Sequence, residues 1–105
     1  MDDTLFYTVT PNPCLDINCT VQSLLKDDVS RIVDKNIMAG GKGYNVARFL
    51  HAAGSRVAAA GIIAGKNGSY HLRQLRCLGI KNLFSIRVPG EMRENYNFFL
   101  PTARC

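Results

Sequence analysis

Apolar runs alternate with helix-like stretches along this chain, and that order narrows its architecture more than any other feature. Leu5–Thr10, Leu-Phe-Tyr-Thr-Val-Thr, is rich in β-branched and aromatic residues and stops at Pro11-Asn12-Pro13. Residues 57–64 are a continuous small apolar run, and residues 83–88 a further one. Runs of this length without alternation suit strands covered on both faces, although periodicity alone does not separate 57–64 from a helix. Between them lie two helical patterns. Val46, Phe49, Leu50 and Ala53 follow the spacing of one buried helix face, with Gly54 as a stop. Residues 69–78 place Leu72, Leu75 and Leu78 inward and close at Gly79. Strand–helix–strand–helix–strand implies an α/β fold with a parallel sheet and right-handed crossovers.

Three further segments read as strands with one wet face. In residues 15–22, Leu15, Ile17, Cys19 and Val21 alternate with Asp16, Asn18, Thr20 and Gln22. Asp16 and Asn18 therefore point the same way. Residues 29–38 read as a strand with Arg31 near its start, and residues 23–28 as a turn or loop. In residues 95–100, Tyr96, Phe98 and Leu100 share one face, and Asn95 and Asn97 the other. These half-polar strands read as a flap beside the parallel sheet. The sequence shows no internal repeat and no low-complexity segment.

Composition bounds the function. At 105 residues the chain suits one small domain and is too short for a complete two-half doubly wound enzyme. No apolar run reaches the length of a membrane span. The acidic start, Met1-Asp2-Asp3, does not resemble a secretory signal, so a soluble cytoplasmic protein is expected. The net charge of +5 is uneven, with ten of the 13 bases beyond residue 35. Those bases are scattered singly, which favours small anions or plain solvation over a nucleic-acid face. The four cysteines, Cys14, Cys19, Cys77 and Cys105, form no Cys-x-x-Cys pair and stand apart from His51 and His71. Free thiols are expected, not a zinc site. No metal ligand set is expected.

The strongest local feature is Gly40-Gly41-Lys42-Gly43-Tyr44-Asn45, which opens the first helix. Glycines allow close backbone approach, a helix N-terminus offers free N–H groups, and Lys42 adds a full charge. The pattern fits a phosphate site and equally a tight turn with a solvated lysine. Two familiar phosphate loops fail. Neither Gly41-Lys42 nor Gly65-Lys66 is followed by Ser or Thr, so there is no P-loop. Gly41-x-Gly43 lacks the third small residue of a dinucleotide fingerprint, where Val46 stands instead.

Three blocks resemble a known family. Thr10-Pro11-Asn12-Pro13-Cys14-Leu15-Asp16, then Ala39-Gly40-Gly41-Lys42-Gly43-Tyr44-Asn45-Val46-Ala47-Arg48, then Met92-Arg93-Glu94-Asn95 look like the phosphofructokinase-B branch of the ribokinase-like sugar kinases. The likeness is nearest to 1-phosphofructokinases and tagatose-6-phosphate kinases. It implies a ribokinase-like parallel sheet with flanking helices and a small β lid, truncated, with lid strands at about 15–38 and 94–101. The implied reaction is transfer of phosphate from ATP, with Mg²⁺, onto a hydroxyl of a phosphorylated ketose. Asp16 would bind sugar hydroxyls. Gly40 and Gly41 would approach the sugar and hinge the lid. Lys42 and Asn45 would contact the sugar phosphate or hydroxyls, and Arg93 the phosphate. Arg31 stands where some members send a lid arginine toward phosphate, in places across a dimer, and open lid edges suit a homodimer.

Each residue also has a plain reading. Asp16 is a solvated strand residue, Asn45 a helix cap, Lys42 a solvated lysine, Arg93 a turn residue and Arg31 an edge-strand charge. The sequence also departs from the family pattern. Ala64-Gly65 replaces a glycine pair, the loop at 65–68 lacks an acid, and Tyr44 is bulkier than usual. No Gly-Ala-Gly-Asp block, the family's nucleotide side and catalytic Asp, occurs here. The expectation is the sugar side of a kinase, the N-terminal third, inactive alone. The alternative is a non-catalytic binding or regulatory fragment.

Overall fold

The structure, a computed structural model, describes residues 4–21 and 31–100. The elements run β1 (Leu5–Thr10), β2 (Cys14–Val21), β3 (Ile32–Gly40), α1 (Lys42–Ala52), β4 (Arg56–Ala64), α2 (Gly65–Cys77), β5 (Asn82–Val88) and β6 (Arg93–Phe99). Residues 57–64 are thus strand, not helix. The loop expected at 23–28, the first residues of the strand expected at 29–38, and Cys105 lie outside the described residues.

Two three-stranded sheets form. One is parallel throughout, in the order β1-β4-β5. The other has the order β3-β2-β6, with β2 antiparallel to β3 and parallel to β6. Both helices cover the same face of the parallel sheet. Val57 and Ala59 of β4 form one core with Tyr44 and Ala47 of α1, Leu75 of α2, Ile80 and Ala39. A second cluster joins Ile63, Leu72 and Met92, and Leu83 packs against both.

The opposite face of the parallel sheet is open. The register places Val9, Ala60 and Phe84 in one row, and Ile62 and Ile86 in another. Phe84 is 59% exposed and Ile86 66%. A parallel sheet is normally covered on both sides, so these apolar strands are half-packed.

Both helices end in the same way. Ser55 N–H bonds the Leu50 carbonyl and Ile80 N–H bonds the Leu75 carbonyl, with Gly54 and Gly79 at positive φ between. This is the Schellman arrangement. Leu75 and Ile80 then meet in the core, and the chain turns into the next strand.

The face that α1 buries differs from the expected one. Tyr44 and Ala47 are fully buried and Leu50 partly so, whereas Val46 is 50% and Phe49 73% exposed. The helix lies against the small residues of β4, and that contact selects its own stripe. The Cβ that Gly61 lacks would stand 2.3 Å from Tyr44 Oη. α2 also begins earlier than residue 69. Its first turn, Gly65–Gly68, receives a carboxylate from Glu91, which lies far along the chain.

Candidate functional site

A cleft of about 350 Å³ opens where β1 ends and α1 begins, lined by Val9, Thr10, Pro11, Asn12, Lys42, Gly43 and Arg93. Its geometry follows from close approach. A Cβ on Gly43 would come within 2.3 Å of Thr10 Oγ1 and 3.0 Å of the Val9 carbonyl, so the first turn of α1 rests directly on β1. Gly41 turns the chain from β3 into α1 at φ +112°, against Thr10 and Pro13. Thr10 is buried and its hydroxyl has no hydrogen-bond partner.

Two cations line the cleft. Lys42 is exposed in the first turn of α1. Arg93, at the start of β6, donates from Nη2 to the Asn12 carbonyl at 3.2 Å and from Nη1 to Asn95 Oδ1 at 3.1 Å. A helix start, a lysine and a tethered guanidinium together suit an anion, and phosphate in particular.

Beside the cleft, the polar face of the lid presents Asp16. The register sets Asp16 next to Asn95 on one side and Met38 on the other. Asn95 Nδ2 donates to Asp16 Oδ1 at 3.3 Å and to Cys14 Sγ at 3.3 Å, and Cys14 Sγ lies 3.5 Å from Asp16 Oδ1. Burial, then the nearby Asp16 carboxylate, pushes the Cys14 thiol up, which disfavours its thiolate. Gly40 leaves room for the carboxylate, since a Cβ there would lie 2.4 Å from Asp16 Oδ2. The next row pairs Asn97 with Asn18, Asn97 Nδ2 donating to Asn18 Oδ1 at 3.0 Å. A carboxylate flanked by amides is a set of acceptors and donors for hydroxyl groups.

The structure thus gathers Asp16, Gly40, Gly41, Lys42 and Arg93 around the junction of lid and sheet. Asn45 stands exposed one turn into α1. Its N–H bonds the Gly41 carbonyl at 2.8 Å and its Oδ1 accepts from Arg48. The N-cap is Gly41, so Asn45 is no cap. Arg31 is not brought into this group. It precedes Ile32, which pairs with Val21 at the far end of the lid, while Gly40 pairs with Cys14 at the near end. Ile32 and Gly40 are eight residue steps apart in β3, roughly 26 Å along the lid.

Asn12 and Asn95 belong to the site through their bonds to Arg93, although no residue-level pattern marks them. Both sit in the blocks quoted above, and the alternation at 95–100 does place Asn95 on the wet face. A larger hollow of about 550 Å³ lies on the open sheet face, lined by residues such as Val9, Ile62, Phe84 and Ile86. It has no charged side chain and suits apolar contact instead of an anion. Among the described residues, no group of three or more His, Cys, Asp or Glu side chains is placed to hold a metal ion.

The chain as a whole is similar to known proteins. Residues 12–98 match the model of the pfkB family of carbohydrate kinases. The chain belongs to that family. A solved candidate 1-phosphofructokinase from Thermotoga maritima is 28% identical with a TM-score of 0.85, over 94% of this chain and 32% of its own. A candidate phosphofructokinase from Staphylococcus aureus is 28% identical with a TM-score of 0.80, over the same shares. Phosphofructokinase-2 from Escherichia coli, solved with substrates and products, shares the fold at a TM-score of 0.87 and 21% identity, covering 93% of this chain and 32% of its own. The chain spans about a third of the length of these relatives. The fold is the expected ribokinase-like one, a parallel sheet with two helices and a β lid.

Proposed function

We propose that this chain carries the sugar-binding side of a ketose-phosphate kinase, and that fructose 1-phosphate or tagatose 6-phosphate is its ligand. The observation that carries this reading is the pairing of Lys42 and Arg93 across one cleft, with the Asp16–Asn95 pair beside it. The sugar phosphate sits at the start of α1, between the two cations. Asp16 accepts hydrogen bonds from sugar hydroxyls, and Asn45 adds a polar contact at the helix start. Gly40 and Gly41 let the lid move over the sugar, excluding water from the reacting hydroxyl. Phosphofructokinase-2 from Escherichia coli was solved with fructose-6-phosphate, which supports a sugar phosphate as the class of ligand.

Kinases of this family use ATP. Bound with Mg²⁺, ATP supplies the phosphoryl group and the charge neutralisation that its transfer requires. No residue of this chain is assigned to either. We take the chain to be inactive alone. Titration with fructose 1-phosphate, tagatose 6-phosphate and inorganic phosphate tests the binding. A coupled ATP-consumption assay tests the inactivity, and robust turnover would overturn it.

A second reading is favoured by the open apolar face around Phe84 and Ile86 and by the free lid edges of β3 and β6. In it, the chain is a non-catalytic fragment that pairs with a full-length subunit, or with itself as a homodimer through the lid strands. Arg31, at the far end of the lid, would then reach a partner's phosphate. An oligomeric form of phosphofructokinase-2 is known, a tetrameric inhibited state. No described helix is long and apolar enough to cross a membrane. Cys14, Cys19 and Cys77 are free thiols, which suits a reducing compartment such as the cytoplasm.

A further inference from the structure

Two side chains of α2, one turn apart, reach across to the end of the lid strand β3. His71 is fully buried, with Nε2 at 3.0 Å from the Gly40 carbonyl. A carbonyl can only accept, so Nε2 carries the proton. Nδ1 is buried with no partner among the described residues, which favours the neutral ring. The ring of Tyr44 stands edge-on to His71, centroids 4.4 Å apart at 75°, and fixes its plane. Gln74 uses both ends of its carboxamide. Nε2 donates to the Ile37 carbonyl and Oε1 accepts from the Ala39 N–H. β3 is an edge strand, and the Gln74 amide satisfies it as a neighbouring strand would.

These contacts fall on the last four residues of β3. The last of them, Gly40, abuts Asp16 so closely that no Cβ fits between them. A continuous mechanical chain therefore runs from α2 through Gly40 to the Asp16 carboxylate. The helix itself is fixed in the core through Leu72 and Leu75. The lid strand end is thus referenced to the rigid part of the molecule through two side chains that bond main-chain groups of Ile37, Ala39 and Gly40.

We propose that His71 and Gln74 are positioning residues for Asp16, holding the end of β3 so that the carboxylate meets the sugar hydroxyls. This rests on the reading that Asp16 binds the sugar. Neither residue touches the ligand; both act through the main chain of β3.

The test uses the 105-residue chain and three variants. His71→Met fills the space without a donor, His71→Gln restores an N–H donor, and Gln74→Met removes the amide at a half-buried site. Losing one net hydrogen bond of about 1–1.5 kcal/mol corresponds to about tenfold in affinity. Fructose 1-phosphate should bind about tenfold more weakly to His71→Met and to Gln74→Met, and within about twofold of the parent to His71→Gln. Inorganic phosphate, held by Lys42 and Arg93, should bind all four proteins alike. Equal losses for both probes, or no loss for either, overturn the proposal. If the parent binds phosphate but gains nothing from the sugar, the ketose reading fails, and the NMR signals of the Asn95 side-chain amide decide this inference alone. They must shift in His71→Met and Gln74→Met and return in His71→Gln. Unmoved signals overturn it.

Discussion

Tyr44 and Gly61 meet where α1 crosses β4, the missing Cβ of Gly61 leaving a space that the Tyr44 hydroxyl fills to within 2.3 Å. The ring carbon Cε2 would be 2.8 Å away and the Thr10 carbonyl 2.9 Å. Tyr44 is fully buried, and its hydroxyl makes no hydrogen bond of good geometry, although Ser85 lies near enough to ease the upward push of burial on the phenol. Gly61→Ala overpacks this contact and should cost about 1–3 kcal/mol. Tyr44→Phe removes a buried hydroxyl without a partner and should be neutral or stabilise by up to about 1 kcal/mol. The double variant should lose less than the sum, with a coupling above about 0.5 kcal/mol. Denaturant unfolding of the four proteins checks this, and strict additivity would count against the contact.

Acid should destabilise the chain in two windows. The first involves His71, whose imidazole burial pushes below its usual range, the Gly40 carbonyl bond and Asp16 pulling back and Arg48 adding to the push. A base whose folded pKa is depressed takes up its proton more readily when unfolded, so stability falls as pH drops below the ordinary histidine range near 6.5. The second involves Glu91 and Glu94. The Asn67 backbone N–H, then those of Met92 and Lys66, hold Glu91 below the usual carboxylate range, against Glu94's charge. The Tyr96 hydroxyl and the Asn67 side chain do the same for Glu94. For these groups stability is complete above the unfolded pKa near 4.5 and is lost as pH falls through the folded one. Melting curves from pH 8 to pH 3 should show both declines. His71→Met should flatten the first, and Glu91→Gln part of the second.

The fold was largely legible in the residues, and the exceptions share a cause. Alternation at 15–22 gave β2, because one wet face and one packed face leave a period of two; the alternation at 95–100 marked β6, although Tyr96 and Phe98 remain half exposed there. Gly54 and Gly79 marked helix ends, because a Schellman turn needs a positive φ. The buried stripe of α1 was misplaced because Val46 and Phe49 are more apolar than Ala47. The surface of β4 selects Tyr44 and Ala47 by shape instead. The start of α2 was hidden because its N-terminal N–H groups are satisfied by Glu91, 25 positions beyond Lys66. At the site, Asp16, Lys42 and Arg93 stood out as charges within motifs. His71 and Gln74 did not, since their role is to hold main-chain groups of a strand more than 30 positions away.

The exposed rows of the parallel sheet should govern association. Val9, Phe84 and Ile86 present an apolar face to water, each more than half exposed, and such faces recruit partners or aggregate. Phe84→Ser with Ile86→Thr should leave the melting temperature within a few degrees, because both side chains are largely solvated. The same pair should shift sedimentation toward monomer. If the parent chain is already monomeric at high concentration, the face is not self-associating, and the second reading of its function loses its main support.

The two adjacent glycines, Gly40 and Gly41, should fail in different ways. Gly41 has φ +112° and ψ 143°, a region essentially reserved for glycine, and its Cβ would press on Thr10 Cγ2 at 2.7 Å and Pro13 Cα at 3.1 Å. Gly41→Ala should therefore cost stability, about 1–3 kcal/mol of backbone strain with the contacts added. Gly40 is strand-like without a positive φ, and its nearest obstacles are side-chain atoms, Asp16 Oδ2 at 2.4 Å, Asp16 Cγ at 2.8 Å and Cys14 Sγ at 3.0 Å. Those atoms can move aside, so Gly40→Ala should fold with a smaller loss. What it displaces is the Asp16 carboxylate and its bond to Asn95. Gly40→Ala should consequently weaken fructose 1-phosphate by about 10–100-fold, the range for a lost hydrogen bond to a charged group, with inorganic phosphate unaffected. Asp16→Ala should give the same pattern. Thermal melts and paired titrations of the three variants check this. A Gly40→Ala chain that binds the sugar phosphate as tightly as its parent would remove Asp16 from the sugar site.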